Sequence, residues 1–133
     1  MSVNACKNSA LIINGGPSPD KRVLDFLPKF DEVLAVDSGF DSAISLGIAP
    51  DVVIGDLDSI STNGLETADK QSIKIISFPK DKDESDLDLA ILHASESCAS
   101  VTIVDSGGGR LDHLWGVFSA MASDATSMIT CEA

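Results

Sequence analysis

The sequence predicts an α/β fold: an open, doubly wound, mainly parallel sheet with helices on both faces. Two observations lead there. Short apolar, β-branched runs recur at Ala10–Ile13, Val33–Val36, Val52–Ile54, Ile73–Phe78 and Val101–Val104, with segments of helical character between them. These runs are near-continuously apolar and do not alternate, the pattern of strands buried on both faces of a parallel sheet. Alternating strand and helix then calls for right-handed crossovers and a Rossmann-like, three-layer arrangement.

The elements follow in order. After the first run, Lys21–Leu27 reads as a helix, and Asp41–Leu46 as another, ended by Gly47. Ser61–Lys70 is a third, weakened by Gly64. The clearest is Asp86–Ser97, where Leu87, Ile91, Ala94 and Cys98 form an apolar stripe at helical spacing and Ser85 with Asp88 resembles a capping box with Asp in place of Glu. A last helix runs from about Leu111 to Ala122, with Trp115 and Phe118 read as core, and Ser127–Cys131 is apolar and β-prone, like the start of a further strand.

Composition narrows the function. At 133 residues and 44% hydrophobic, the chain has the size and content of one globular domain. A net charge of −12, with Arg22 and Arg110 the two arginines, repels nucleic acid and anionic lipid, so neither is expected as a partner. The apolar runs are too short for a signal sequence or a membrane span, which gives a cytoplasmic expectation. Cys6, Cys98 and Cys131 are widely spaced with no CxxC pair, and read as reduced thiols. His93 reads as a surface or packing residue.

The acids carry the chemistry. Asp51–Asp88 holds ten of them against Lys70, Lys74, Lys80 and Lys82, a net of −6 and half the charge of the whole chain. In an open α/β sheet the ligand lies beyond the carboxyl ends of the strands. There the sequence sets Asp37 with Ser38-Gly39, then Asp56 and Asp58, then Asp81, Asp83 and Asp86, then Asp105 leading into Gly107-Gly108-Gly109-Arg110. Carboxylates about 4 Å apart repel by roughly 4 kcal/mol at an effective dielectric of about 20, so a cation or protonation must relieve the gathering. Oxygen ligands without a His or Cys cluster suit magnesium or manganese, completed by water and substrate phosphate. The segment Asp105–His113 offers backbone N–H groups and an arginine fork for polyphosphate, and Gly15-Gly16-Pro17 is a weaker candidate of the same kind. A P-loop is absent. Each acid taken singly also reads as a turn former or helix cap.

Four segments in this order resemble the catalytic domain of thiamin pyrophosphokinases: Asp37-Ser38-Gly39; Gly47-Ile48-Ala49-Pro50-Asp51 leading into Gly55-Asp56-Leu57-Asp58-Ser59-Ile60; Lys82-Asp83-Glu84-Ser85-Asp86 with Ala90; and Gly108-Gly109-Arg110-Leu111-Asp112-His113. The resemblance covers roughly Leu11 to Phe118. It implies magnesium-dependent transfer of diphosphate from ATP to the hydroxyl of thiamin, giving thiamin diphosphate and AMP. It also implies that Asp37, Asp56, Asp58, Asp83 and Asp86 hold magnesium, that Lys82, Ser85, Gly108, Gly109, Arg110 and His113 contact ATP, and that Asp56, Asp58, Asp83, Asp86, Arg110 and Asp112 serve catalysis.

The chain departs from that pattern at Ser38, where a second glycine is usual, at Ser85 for threonine, at Asp105 for glycine, and at Val117 for asparagine. The resemblance implies an ATP- and magnesium-binding domain over residues 1–126, with 127–133 opening a β-sandwich that helps form the thiamin pocket across a homodimer. Other readings stay open: a related diphosphokinase acting on another alcohol such as a pterin, or a nucleotide-binding module without catalysis. Asp56-Leu57-Asp58 also matches the DxD of nucleotide-sugar transferases and, apart from Ile60, the start of haloacid-dehalogenase-type phosphatases.

Overall fold

The computed structural model describes residues 9–15, 18–27, 29–55, 73–76, 86–97, 100–105 and 126–130. The strands are β1 (Ser9–Ile13), β2 (Glu32–Val36), β3 (Val52–Ile54), β4 (Lys74–Ile76), β5 (Ser100–Asp105) and β6 (Thr126–Thr130). They form one six-stranded sheet in the order β4-β3-β2-β1-β5-β6, parallel throughout. The chain winds from β1 outward to β4, then crosses back to lay β5 on the other side of β1. The order therefore reverses between β1 and β5.

Burial explains why the central strands read as unbroken apolar runs. Along β1, Leu11 and Ile13 face one layer while Ala10 and Ile12 face the other, and all four are buried. The Ala10–Ile12 face continues through Leu34, Val36, Val52, Ile54, Val101 and Ile103 and is covered by α2 (Asp86–Ser97), which sets Leu87, Ala90, Ile91 and Ala94 against it. On the opposite face, α1 (Gly39–Leu46) places Phe40, Ala43 and Leu46 over Leu11, Ile13, Val33, Ala35 and Val53. Burying each such aliphatic side chain is worth roughly 1.5–3 kcal/mol, so both layers contribute heavily. The edge strand β4 is instead largely exposed, which suits its Lys74.

The helix ends follow local chemistry. Gly47 takes a left-handed φ of 78°, from which its N–H donates to the Ile44 carbonyl and the Ile48 N–H donates to that of Ala43, a Schellman turn with Ile48 packed against the apolar layer to which Ala43 belongs. α1 begins two residues before the expected Asp41 because the Asp37-Ser38 turn already bends the backbone into helix. Lys21–Phe26, expected as an α-helix to Leu27, is a 3-10 helix. Between the Asp20 cap and Leu27 there are six residues, less than two α-helical turns, and Val23 is the one buried residue among them, so no apolar stripe holds an α-helix in place. Asp20 caps it, accepting from the N–H and the Nε of Arg22.

The amino edge of the sheet is held by two aspartates that bond reciprocally to backbone. Asp31 accepts from the Ser9 N–H at 2.9 Å and its own N–H donates to the Ser9 carbonyl at 2.8 Å. Asp51 does the same with Val33, at 2.9 and 2.8 Å. Thr126–Thr130, which overlaps the run read as the start of a further unit, pairs in parallel register with Val101–Asp105 and is the outer strand of this same sheet. The expected helices Ser61–Lys70 and Leu111–Ala122, the Ser85 cap, the three cysteines, Trp115 and Phe118 lie outside the described residues.

Candidate functional site at the carboxyl edge

Three strand ends meet at the carboxyl edge. β2 is followed by Asp37, whose backbone is left-handed at φ 51°, the one described non-glycine residue with positive φ. That conformation is uncommon for a side-chain-bearing residue and is best tolerated by Asn and Asp. It is fixed from both sides, because the Asp37 N–H donates to the Ile54 carbonyl at 2.9 Å and its carbonyl accepts from Phe40 at 3.3 Å. The carboxylate is thereby laid across the end of β3.

Three glycines make this meeting possible. Gly55, at φ 134°, lies directly beneath the Asp37 carboxylate, and a Cβ there would collide with Oδ1. Gly39 meets the ends of β1 so closely that a Cβ would collide with the Ile13 carbonyl oxygen and lie 2.9 Å from that of Asn14. Gly15 is nearly as confined, 3.1 Å from the Val36 carbonyl and 3.3 Å from Ser38 Oγ measured from a Cβ position. Close packing against β2 therefore accounts for Gly15 without a phosphate.

Where the strand order reverses, Asn14 Nδ2 donates to Asp105 Oδ1 at 3.1 Å, and the Asn14 N–H donates to the Val104 carbonyl at 3.0 Å. Both side chains are buried, Asn14 to 6% exposure and Asp105 to 1%. Sequence reasoning passed over Asn14. Its one signal was a polar residue closing the apolar run Leu11-Ile12-Ile13 on the ligand-facing side.

Asp86 opens α2, and because α2 follows β4 its amino end lies toward this same edge, where a carboxylate also complements the helix dipole. Asp37 and Asp86 are thus the expected metal-site residues that the structure describes. Asp56, Asp58, Lys82, Asp83, Ser85, Gly108, Gly109, Arg110, Asp112 and His113 lie outside the described residues. Among the described residues alone, no group of three metal-ligating side chains is assembled. Asp51, within one of the motif segments, sits at the opposite edge in its bonds to Val33. His93 is half-buried in the middle of α2, as a packing residue would be. A shallow depression among Ile44, Gly47, Ile48 and Ala49 lies at the carboxyl end of α1, the end opposite Asp37. No helix among the described residues is long and apolar enough to cross a membrane.

A doubly wound parallel sheet with carboxylates and close-packed glycines at its carboxyl edge defines the class: an α/β domain built to take its ligand beyond those strand ends. Residues 24–131 match the family described as thiamin pyrophosphokinase, catalytic domain, and the chain belongs to that family. It is similar to the thiamine pyrophosphokinase of Bacillus subtilis (strain 168), 31% identical over 109 residues, which cover 79% of this chain and 50% of that protein. It is also similar to thiamine pyrophosphokinase 1 of Arabidopsis thaliana, 32% identical over 113 residues, 77% of this chain and 38% of the relative. The chain thus spans half or less of the length of these relatives. Its fold matches the crystal structure of thiamin pyrophosphokinase from Geobacillus thermodenitrificans with a TM-score of 0.74 at 22% identity, over 91% of this chain and 59% of the other.

Proposed function

We propose that this chain is the ATP- and magnesium-binding catalytic part of a thiamin pyrophosphokinase, transferring diphosphate from ATP to thiamin. The observation that carries the reading is the placement of the Asp37 carboxylate over Gly55, directly ahead of Asp56-Leu57-Asp58, inside the span of the family match. The described acidic side chains at this edge offer carboxylate oxygens, and Gly55, having no side chain, lets the Asp37 carboxylate lie against the end of β3. Such oxygen donors suit a hard divalent cation. Asp37, Asp56, Asp58, Asp83 and Asp86 are the residues that would hold it.

In the reaction the thiamin hydroxyl oxygen forms a bond to the β-phosphorus of ATP, the bond from that phosphorus to the α,β-bridging oxygen breaks, AMP leaves, and the hydroxyl proton is released. Magnesium, when bound, supplies charge neutralisation at the phosphates. The work of the chain is positioning and electrostatics: Lys82, Ser85, Gly108, Gly109, Arg110 and His113 would hold the phosphates, with Asp112 orienting Arg110. The acceptor's walls are assigned to a second domain and to a homodimer partner, in a cytoplasmic enzyme, in keeping with the greater length of the relatives.

The test is AMP release from ATP and thiamin beside calorimetric ATP titration. The 133-residue chain should bind ATP with magnesium yet turn over weakly, since positioning the acceptor is worth roughly 7–11 kcal/mol. In the protein carrying both domains, Asp56→Asn and Asp58→Asn should each lower AMP release at least a hundredfold with the fold intact. Full turnover by this chain alone would place the acceptor site within it, and absence of ATP binding would refute the reading.

A further inference from the structure

The proposed machinery has two halves that arrive on different strands. Asp37 and the segment after Gly55 come from β2 and β3; the glycine–arginine segment follows β5. Between them stands β1, and its last contact with both sides is Asn14. On one side Asn14 bonds twice to the end of β5, through its N–H to Val104 and through Nδ2 to Asp105. On the other, its carbonyl oxygen lies against Gly39, so close that any side chain at Gly39 would press on it, and the next residue, Gly15, packs on Val36, Asp37 and Ser38.

We infer that Asn14 and Asp105 form a positioning pair that sets the register between the metal-holding and phosphate-holding halves of the site; this rests on the function proposed above. The hydrogen bond spans 91 residues of sequence and falls where the strand order reverses, the place an α/β sheet offers its ligand. A satisfied polar pair in the interior has one low-energy arrangement, whereas a glycine at position 105 leaves the end of β5 without this tie. Burial holds the pair away from competing water. Neither residue touches a phosphate in this role; each acts by fixing where other groups stand.

The experiment is ATP affinity by calorimetry with and without magnesium, on the chain and its variants, each checked by thermal melting. In the unaltered chain magnesium should tighten ATP binding. Asp105→Ala breaks the pair and should cut that magnesium enhancement about tenfold. Asp105→Asn keeps an acceptor for Asn14 Nδ2 and should retain the enhancement within about twofold. Asn14→Ala should behave as Asp105→Ala does, which covers the case in which one of them fails to fold. A purely structural pair would lower the melting temperature and leave the enhancement unchanged; that result, or an Asp105→Asn variant as impaired as Asp105→Ala, overturns the inference. If the unaltered chain binds no ATP under either condition, the functional reading falls and this inference with it.

Discussion

Asp37 combines a left-handed backbone with a carboxylate resting on a glycine, and the two features separate what the residue does for the fold from what it would do for the proposed metal. Asparagine tolerates the same conformation, so Asp37→Asn should melt close to the parent while losing most of the magnesium-induced rise in melting temperature. Gly55→Ala should lose that rise as well, and should also lower the metal-free melting temperature, because the new Cβ collides with the carboxylate and φ 134° disfavours a side chain. A different acid, Asp20, serves the fold. Hydrogen bonds from the Arg22 N–H and side chain hold its carboxyl below the ordinary value of 3.8. Its contribution is therefore present above that value and disappears as pH falls through the lowered, folded-state pKa. In urea titrations Asp20→Ala should have a lower midpoint than the parent at neutral pH, and the gap should close as pH drops through and below 3.8.

At the scale of elements, α2 offers a sharp contrast between neighbours. Ile91 packs into the layer beneath the sheet, while Leu92 is 60% exposed. Ile91→Ala should cost about 2–5 kcal/mol in urea denaturation, and Leu92→Ala within about 0.5 kcal/mol. This helix was legible because Leu87, Ile91 and Ala94 recur at helical spacing, and the strands were legible because burial on both faces leaves unbroken apolar runs. Val52–Ile54 appears at the bounds its residues suggested. The 3-10 form of Lys21–Phe26 was not legible, since the same residues satisfy a helical pattern and the difference lies in length and packing. Of the site, Asp37 could be read from its place after an apolar run. The Asn14–Asp105 bond could not, because it depends on which strands become neighbours after four crossings of the chain. The tight fits at Gly39 and Gly55 also arise from that adjacency; as sequence they are only glycines.

For the molecule as a whole, the net charge of −12 matters to metal through the share of it gathered at the carboxyl edge. A cation that binds the native state at the carboxyl edge relieves repulsion there and stabilises by mass action. Melting at constant ionic strength should shift upward with millimolar magnesium, and further with ATP present; an unchanged melt with both would point to a solvated acidic face. The amino-edge clasps of Asp31 and Asp51 bear on the same charge. On β2, Val33, the partner of Asp51, and Asp37 stand four residues apart, about 13 Å at the usual rise of an extended strand. That exceeds the screening length of about 8 Å at physiological salt. The two edges are thus largely screened from each other along the solvent-facing surface, and a ligand at one end responds chiefly to the local acids. Charges could be added or removed around the amino edge to tune solubility while leaving the affinity for a metal–nucleotide ligand where it was.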